Sequence, residues 1–184
     1  MSTEGGTKKI STPLSDEVIK GLSAGDRVLI TGVVYTARDA AHKRMFEILE
    51  RGEDMPFDFF GQIVYYAGPS PARPGAAIGS IGPTTSGRMD AYSPALIKIG
   101  LKAMIGKGLR NEDVKRAIVS HCGVYMAAIG GAGALISRSV KRARVIAFPE
   151  LGAEAIRMLD VEDFPAIVAI DSSGRDIYDM AGTD

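Results

Sequence analysis

The sequence predicts an α/β domain built on a mixed sheet. Three observations carry that expectation. Runs rich in β-branched residues, such as residues 26–35 (DRVLITGVVY), read as strands. Amphipathic stretches follow several of these runs, as where Ala41, Met45, Ile48 and Leu49 fall on one face of a helix that stops at Gly52. Near the end of the chain, Ser172-Ser173-Gly174 reads as a hairpin turn into a final short strand. Strands alternating with helices favour parallel pairing, and the terminal hairpin adds an antiparallel pair.

Residues 1–9 are polar, so a flexible tail is expected over 1–8 and a single domain over 9–184. The strand at 26–35 runs into Thr36-Ala37-Arg38-Asp39, which resembles a capping box. Arg38 therefore sits where a strand hands over to a helix, and free backbone N–H groups there favour an anion. Residues 61–67 form an apolar run that leads into a proline-rich turn at 68–74 (GPSPARP). Ser93-Pro94 reads as a helix start, with Ile97, Leu101 and Met104 on one face until Gly106-Lys107-Gly108 breaks it. A capped helix is expected after Asn111, and a buried strand at 123–129 opens into Gly130-Gly131-Ala132-Gly133 and a short helix. A strand at 144–148, a helix near 150–159 and a strand at 166–170 complete the pattern.

A chain of 184 residues, 46% apolar and 24% charged, suits one domain with a substantial core. Its 22 basic residues match its 22 acidic ones, so it has no overall attraction for nucleic acid or acidic membranes. Any work done by its arginines must be local. The single cysteine, Cys122, excludes an internal disulfide and a multi-thiolate metal cage, and suits a reducing interior. No run approaches the ~20 apolar residues of a membrane span. No apolar signal region opens the chain, so a cytoplasmic location is expected.

The most unusual stretch is 81–90 (IGPTTSGRMD). Its glycines let backbone approach a ligand closely, Thr84, Thr85 and Ser86 offer hydroxyls, and Arg88 adds a planar fork suited to a carboxylate. The ordinary alternative is a solvated loop. Arg38 could equally be a surface arginine paired with Asp39, and His42, one turn further on, fits helix packing better than chemistry. Lys107 lies between two glycines and is open to close approach, although such lysines are usually solubilising. The glycine run at 130–133 matches neither G-x-G-x-x-G nor the P-loop spacing, and a tight turn or close helix packing is expected there instead of phosphate binding. With only His42 and His121, and no H-E-x-x-H or G-x-S-x-G, a histidine triad or histidine metal site is not expected.

Taken together, Thr36-Ala37-Arg38-Asp39-Ala40-Ala41-His42, the 82–90 segment GPTTSGRMD and Met104-Ile105-Gly106-Lys107 resemble the carboxy-terminal domain of class I, iron–sulfur fumarases. The same domain is the β subunit of two-chain fumarases and of L-tartrate dehydratase. Further similarity appears at 125–131 (YMAAIGG), 147–154 (AFPELGAE) and 164–171 (FPAIVAID), so the resemblance spans about residues 9–178. It implies a swivelling β/β/α fold and a partner that holds a four-iron cluster through three cysteines. It also implies that Arg38, Arg88 and Lys107 bind substrate carboxylates and that Thr84 is the catalytic threonine. Asp39, His42, Thr85 and Asp90, which share these motifs, are secondary candidates. Ala37 stands where many relatives have glycine, and Cys122 inherits no role.

The expected function is therefore reversible hydration of fumarate to malate by a hetero-oligomer of this chain with a cluster-binding α subunit. A tartrate or other hydroxy-dicarboxylate dehydratase is the alternative within the class. A non-catalytic anion-binding or assembly module is the alternative outside it. Isolated from its partner, the chain is expected to leave a docking face exposed and to self-associate.

Overall fold

A computed structural model describes residues 2–4, 6–128 and 133–180. Among the described residues, eight strands form one mixed sheet: β1 (Ser2–Glu4), β2 (Thr7–Ser11), β3 (Arg27–Thr36), β4 (Ile63–Tyr65), β5 (Ala103–Gly106), β6 (Val124–Ala127), β7 (Val140–Ala147) and β8 (Ile156–Ile170). Their order is β1-β2-β3-β4-β5-β6-β8-β7, with an additional β3–β8 pairing. That pairing closes β3, β4, β5, β6 and β8 into a barrel. Two long strands make closure possible. The first half of β3 pairs with β2 and its last two residues with β4, while β8 runs antiparallel along nearly its whole length. β8 in turn pairs with β7 through its first half and with β6 through its second.

Strands β4, β5 and β6 are apolar on both faces because two cores sit against them. Ile63, Tyr65, Ala103, Ile105, Val124 and Met126 point into the barrel with Phe164 and Val168. The intervening Val64, Met104 and Tyr125 face outward, where Met45, Leu96, Val114 and Ile118 cover them from the helices. Successive strand residues point to opposite faces, so a strand covered on both sides reads as an unbroken apolar run. Inside the barrel, the Tyr65 and Phe164 rings meet edge to face at 5.2 Å.

The helices are α1 (Asp16–Lys20), α2 (Asp39–Glu50), α3 (Ser93–Lys98), α4 (Glu112–Ser120), α5 (Gly133–Ser139) and α6 (Ile177–Met180). α2 buries Ala41, His42 and Met45. Asn111 caps α4 by accepting from Val114 N–H at 3.0 Å, as its sequence position predicts.

Several expectations are corrected. Thr7–Ser11 is a strand paired parallel with β3, where polarity had suggested a tail, because backbone pairing does not need apolar side chains. Arg38 is the N-cap of α2, not Thr36, whose hydroxyl accepts from Arg157 N–H instead. The helix expected through Met104 ends at Lys98; Gly100 takes φ 115° against the Phe60 backbone, and Met104 lies in β5. The helix expected near 150–159 is a 3-10 turn at Pro149–Glu154, after which β8 begins. The turn at 171–174 exists, yet only an Ile170–Asp176 bridge follows before α6. The expected turn at Gly130-Gly131-Ala132 lies outside the described residues.

Candidate active site

β3, β4, β5 and β6 are mutually parallel, so the segments that follow them emerge at one edge. Loops beyond the carboxyl ends of parallel strands are where such folds bind ligands. Arg38 follows β3, Tyr66–Gly68 follow β4, and Lys107 follows β5. Thr84 is brought to the same edge by its backbone N–H, which donates to the Tyr66 carbonyl at 2.7 Å. Thr85 then forms a parallel bridge with Lys107, and Ser86 N–H donates to the Lys107 carbonyl at 2.8 Å.

The 3-10 turn Ser86–Met89 carries Arg88 back across this edge toward α2. There Arg88 Nε donates to Asp39 Oδ1 at 2.7 Å. Arg38 Nε lies 3.9 Å from the other Asp39 oxygen and 3.4 Å from Glu154 Oε1. Arg38 and Arg88, fifty positions apart, thus meet on one carboxylate. Lys107 is exposed and has no ion-pair partner among the described residues. Thr84 is half-buried, and its hydroxyl makes no hydrogen bond to a described residue.

Close backbone approach sets these distances. A Cβ on Gly68 would meet the Ala153 carbonyl at 2.8 Å and the Arg38 Cδ at 3.1 Å. One on Gly106 would sit 2.0 Å from the Ser86 hydroxyl and 2.9 Å from the Tyr66 ring. Both glycines are needed for side-chain volume, because their neighbours occupy the space a methyl group would take.

Beneath the surface lies a polar network that sequence reasoning missed. The Arg110 side chain is 0% exposed and its Nε donates to Asp90 Oδ1 at 2.6 Å. Its Nη2 donates to Ser93 Oγ at 2.8 Å and Tyr66 Oη at 3.2 Å, and its plane lies over the Tyr66 and Tyr125 rings. The second Asp90 oxygen accepts from Asn111 N–H at 2.7 Å. Tyr125 Oη donates to the Gly108 carbonyl, and Ser86 Oγ lies 2.9 Å from Tyr125 Oη. Burial pushes the Tyr125 phenol well above its ordinary pKa, so it remains a donor. The network locks the 83–90 and 106–111 segments together. Asp90, a secondary candidate, belongs to this buried support and not to the exposed edge.

His42 also lies below the edge. It is fully buried, with Nδ1 2.9 Å from the Arg38 carbonyl and the Tyr66 ring at 5.2 Å. A carbonyl only accepts, so Nδ1 carries the proton; Nε2 has no partner among the described residues. Burial lowers the imidazole pKa to about 4, helped by the charge of Arg110 and opposed by the Arg38 hydrogen bond. His42 is therefore neutral near pH 7 and screened from solvent.

The Fumarase C-terminus family model matches residues 3–181. The chain belongs to the fumarase C-terminal family. The chain is 40% identical over 168 residues to fumarate hydratase 2 of Leishmania major, covering 89% of the chain and 30% of that relative. It is 39% identical over 174 residues to the aerobic class I fumarate hydratase of Salmonella typhimurium, covering 92% of the chain and again 30% of the relative. A candidate L(+)-tartrate dehydratase subunit beta of Methanocaldococcus jannaschii is 41% identical over 172 residues, 90% of the chain and 88% of that relative. The chain thus spans about 30% of the length of these fumarate hydratases.

Among the described residues, no three histidine, cysteine or acidic side chains gather as a metal site. Cys122 lies apart, with Sγ 3.8 Å from the Asp16 carbonyl. These residues do not fit an iron–sulfur cluster, which ordinarily takes three or four thiolates. No described helix is long and apolar enough to cross a membrane.

The buried neutral state of His42 has a pH consequence. The folded chain binds its proton near pH 4, the unfolded chain near pH 6.5, so stability is fully present above pH 6.5 and falls as pH drops toward 4. Over that window His42 contributes a loss of about 3 kcal/mol. Chemical denaturation at pH 7 and pH 4 is expected to show a smaller acid-induced loss in His42→Leu than in the native protein. Equal losses would mean that the imidazole is not buried neutral.

Proposed function

We propose that this chain is the carboxylate-binding half of an iron–sulfur-dependent hydro-lyase that interconverts fumarate and malate. The observation that carries the reading is the meeting of Arg38 and Arg88 on Asp39, at the edge that also presents Thr84 and Lys107. Removing a proton from carbon beside a carboxylate places further negative charge on that carboxylate. Such a species forms only where donors or cations already face its oxygens. The two guanidinium groups would hold one carboxylate of a diacid, and Lys107 the second.

Thr84 is the proton-transfer group in this reading. A hydroxyl is a poor base at neutral pH, and neighbouring positive charge from Arg88 and Lys107 would favour its ionised form. Asp39 pairs with Arg88 and Thr85 bridges to Lys107, so both flank these groups. With one cysteine, the chain would depend on a partner subunit for the four-iron cluster that its family resemblance implies. Likeness to a relative described as a subunit beta supports a hetero-oligomer. The barrel corresponds to the swivelling β/β/α fold in this reading, and the assembly would be cytoplasmic. That same relative favours a second substrate, L-tartrate, handled by the same residues.

Anaerobic co-expression with the cluster-bearing chain, followed by assays on malate, fumarate and both tartrate enantiomers, tests the reading. Arg88→Ala is expected to lower kcat/KM at least ~100-fold, equivalent to ~3 kcal/mol. Unchanged activity would remove Arg88 from the site and favour a non-catalytic anion-binding role.

Thr84→Ala, folded and assembled, is expected to abolish turnover more than it weakens substrate binding. Turnover that survives would place the base on the partner.

A further inference from the structure

Both arginines face carboxylates of their own chain at the same atom, Nε, Arg88 through a hydrogen bond and Arg38 through an ion pair. Arg88 offers its Nε to Asp39 Oδ1 at 2.7 Å. Arg38 has its Nε 3.4 Å from Glu154 Oε1, within ion-pair range though without hydrogen-bond alignment. No Nη atom of either arginine donates a hydrogen bond to a described residue. A guanidinium has five N–H donors in a fixed plane, and the end-on pair lies on Nη1 and Nη2. Occupying Nε alone fixes the direction of that pair while leaving it open.

The gripping carboxylates are themselves fixed. Asp39 occupies the first turn of α2. Glu154 ends the 3-10 turn Pro149–Glu154, and its Oε2 accepts from the Ala40 N–H at 3.3 Å. It therefore ties the segment before β8 to the start of α2, directly behind Arg38. Asp39 Oδ2 has no hydrogen-bond partner among the described residues, so Asp39 engages Arg88 through one oxygen only. An end-on grip on Nη1 and Nη2 would have consumed the donors a substrate needs.

We propose that Asp39 and Glu154 are positioning residues that hold Arg88 and Arg38 by Nε and aim their Nη edges at a dicarboxylate. The proposal rests on the functional reading above. It makes an electrostatic prediction opposite to the simplest alternative. If the two acids were only counter-ions, removing one would leave more positive charge at the edge and tighten binding of a diacid. If they aim the forks, removing one loosens binding despite the gain in positive charge.

The test is a double-mutant cycle in the reconstituted complex, with fumarate and malate as probes. Asp39→Ala is expected to raise KM about tenfold with a smaller change in kcat, and Asp39→Asn, which keeps an acceptor oxygen, to recover part of the loss. In an Arg88→Ala background, Asp39→Ala is expected to add less than about twofold, because the one arginine it hydrogen-bonds is gone. Glu154→Gln keeps an acceptor for Ala40 N–H; it is expected to raise KM in the native background and to have little effect with Arg38→Ala. A lower KM in Asp39→Ala, or full independent effects in the arginine-free backgrounds, overturns the proposal. If Asp39→Ala fails to assemble, the Asp39→Asn cycle decides by the same criterion. An active complex in which Arg88→Ala and Arg38→Ala change nothing would instead defeat the functional reading itself.

Discussion

Parallel alignment of β3, β4, β5 and β6 is the constraint on which the site depends. Once these strands run side by side in one direction, the loops after them have no choice of edge. Arg38, Gly68 and Lys107 inherit their neighbourhood from that alignment, and the Thr84 N–H bond to Tyr66 adds a fourth segment to it. The β3–β8 pairing closes the barrel and fills its inside with Tyr65, Phe164 and their neighbours, so the edge is carried on a rigid wall. A site assembled this way can place side chains from distant parts of the sequence to within hydrogen-bond reach.

Holding loops at such an edge costs something, and the buried Arg110–Asp90 pair shows how the cost is met. A buried guanidinium or carboxylate loses several kcal/mol of hydration unless its donors and acceptors are matched. Asp90 finds Arg110 and the Asn111 N–H; Arg110 finds Asp90, Ser93, Tyr66 and two aromatic faces. A network so satisfied favours one arrangement of the loops over its competitors, since a shifted loop strands a buried charge. The result is two layers with separate tasks. Charges below are paired and silent, while Lys107 and the forks of Arg38 and Arg88 above keep donors available.

Much of this was legible in the sequence where chemistry is local. The glycine- and hydroxyl-rich 81–90 segment stands out by composition, whereas Arg38 and Lys107 are singled out only by the family resemblance, and the structure brings these segments to one edge. Asn111 as a helix cap was readable for the same reason. What escaped was non-local. Glu154 reaches Ala40 across 114 positions, and although it ends the 147–154 segment of family resemblance, nothing in that segment shows what it contacts. Arg110 is one basic residue among 22 until folding buries it. Element ends failed where tertiary contacts overruled periodicity. Met104 has helical spacing from Ile97, yet pairing with β4 and β6 makes it a strand residue. Residues after Glu154 similarly join the long β8, whose partners lie far back in the chain.

The account stands on a diacid being held by this chain's cations against the Thr84 hydroxyl. A crystal structure of the assembled complex with malate bound tests it most directly. The prediction is one carboxylate about 3 Å from the Nη atoms of Arg38 or Arg88, the other near Lys107, and Thr84 Oγ1 facing the carbon that loses its proton. A malate seated wholly on the partner, with the Arg88 fork turned to solvent, would contradict it.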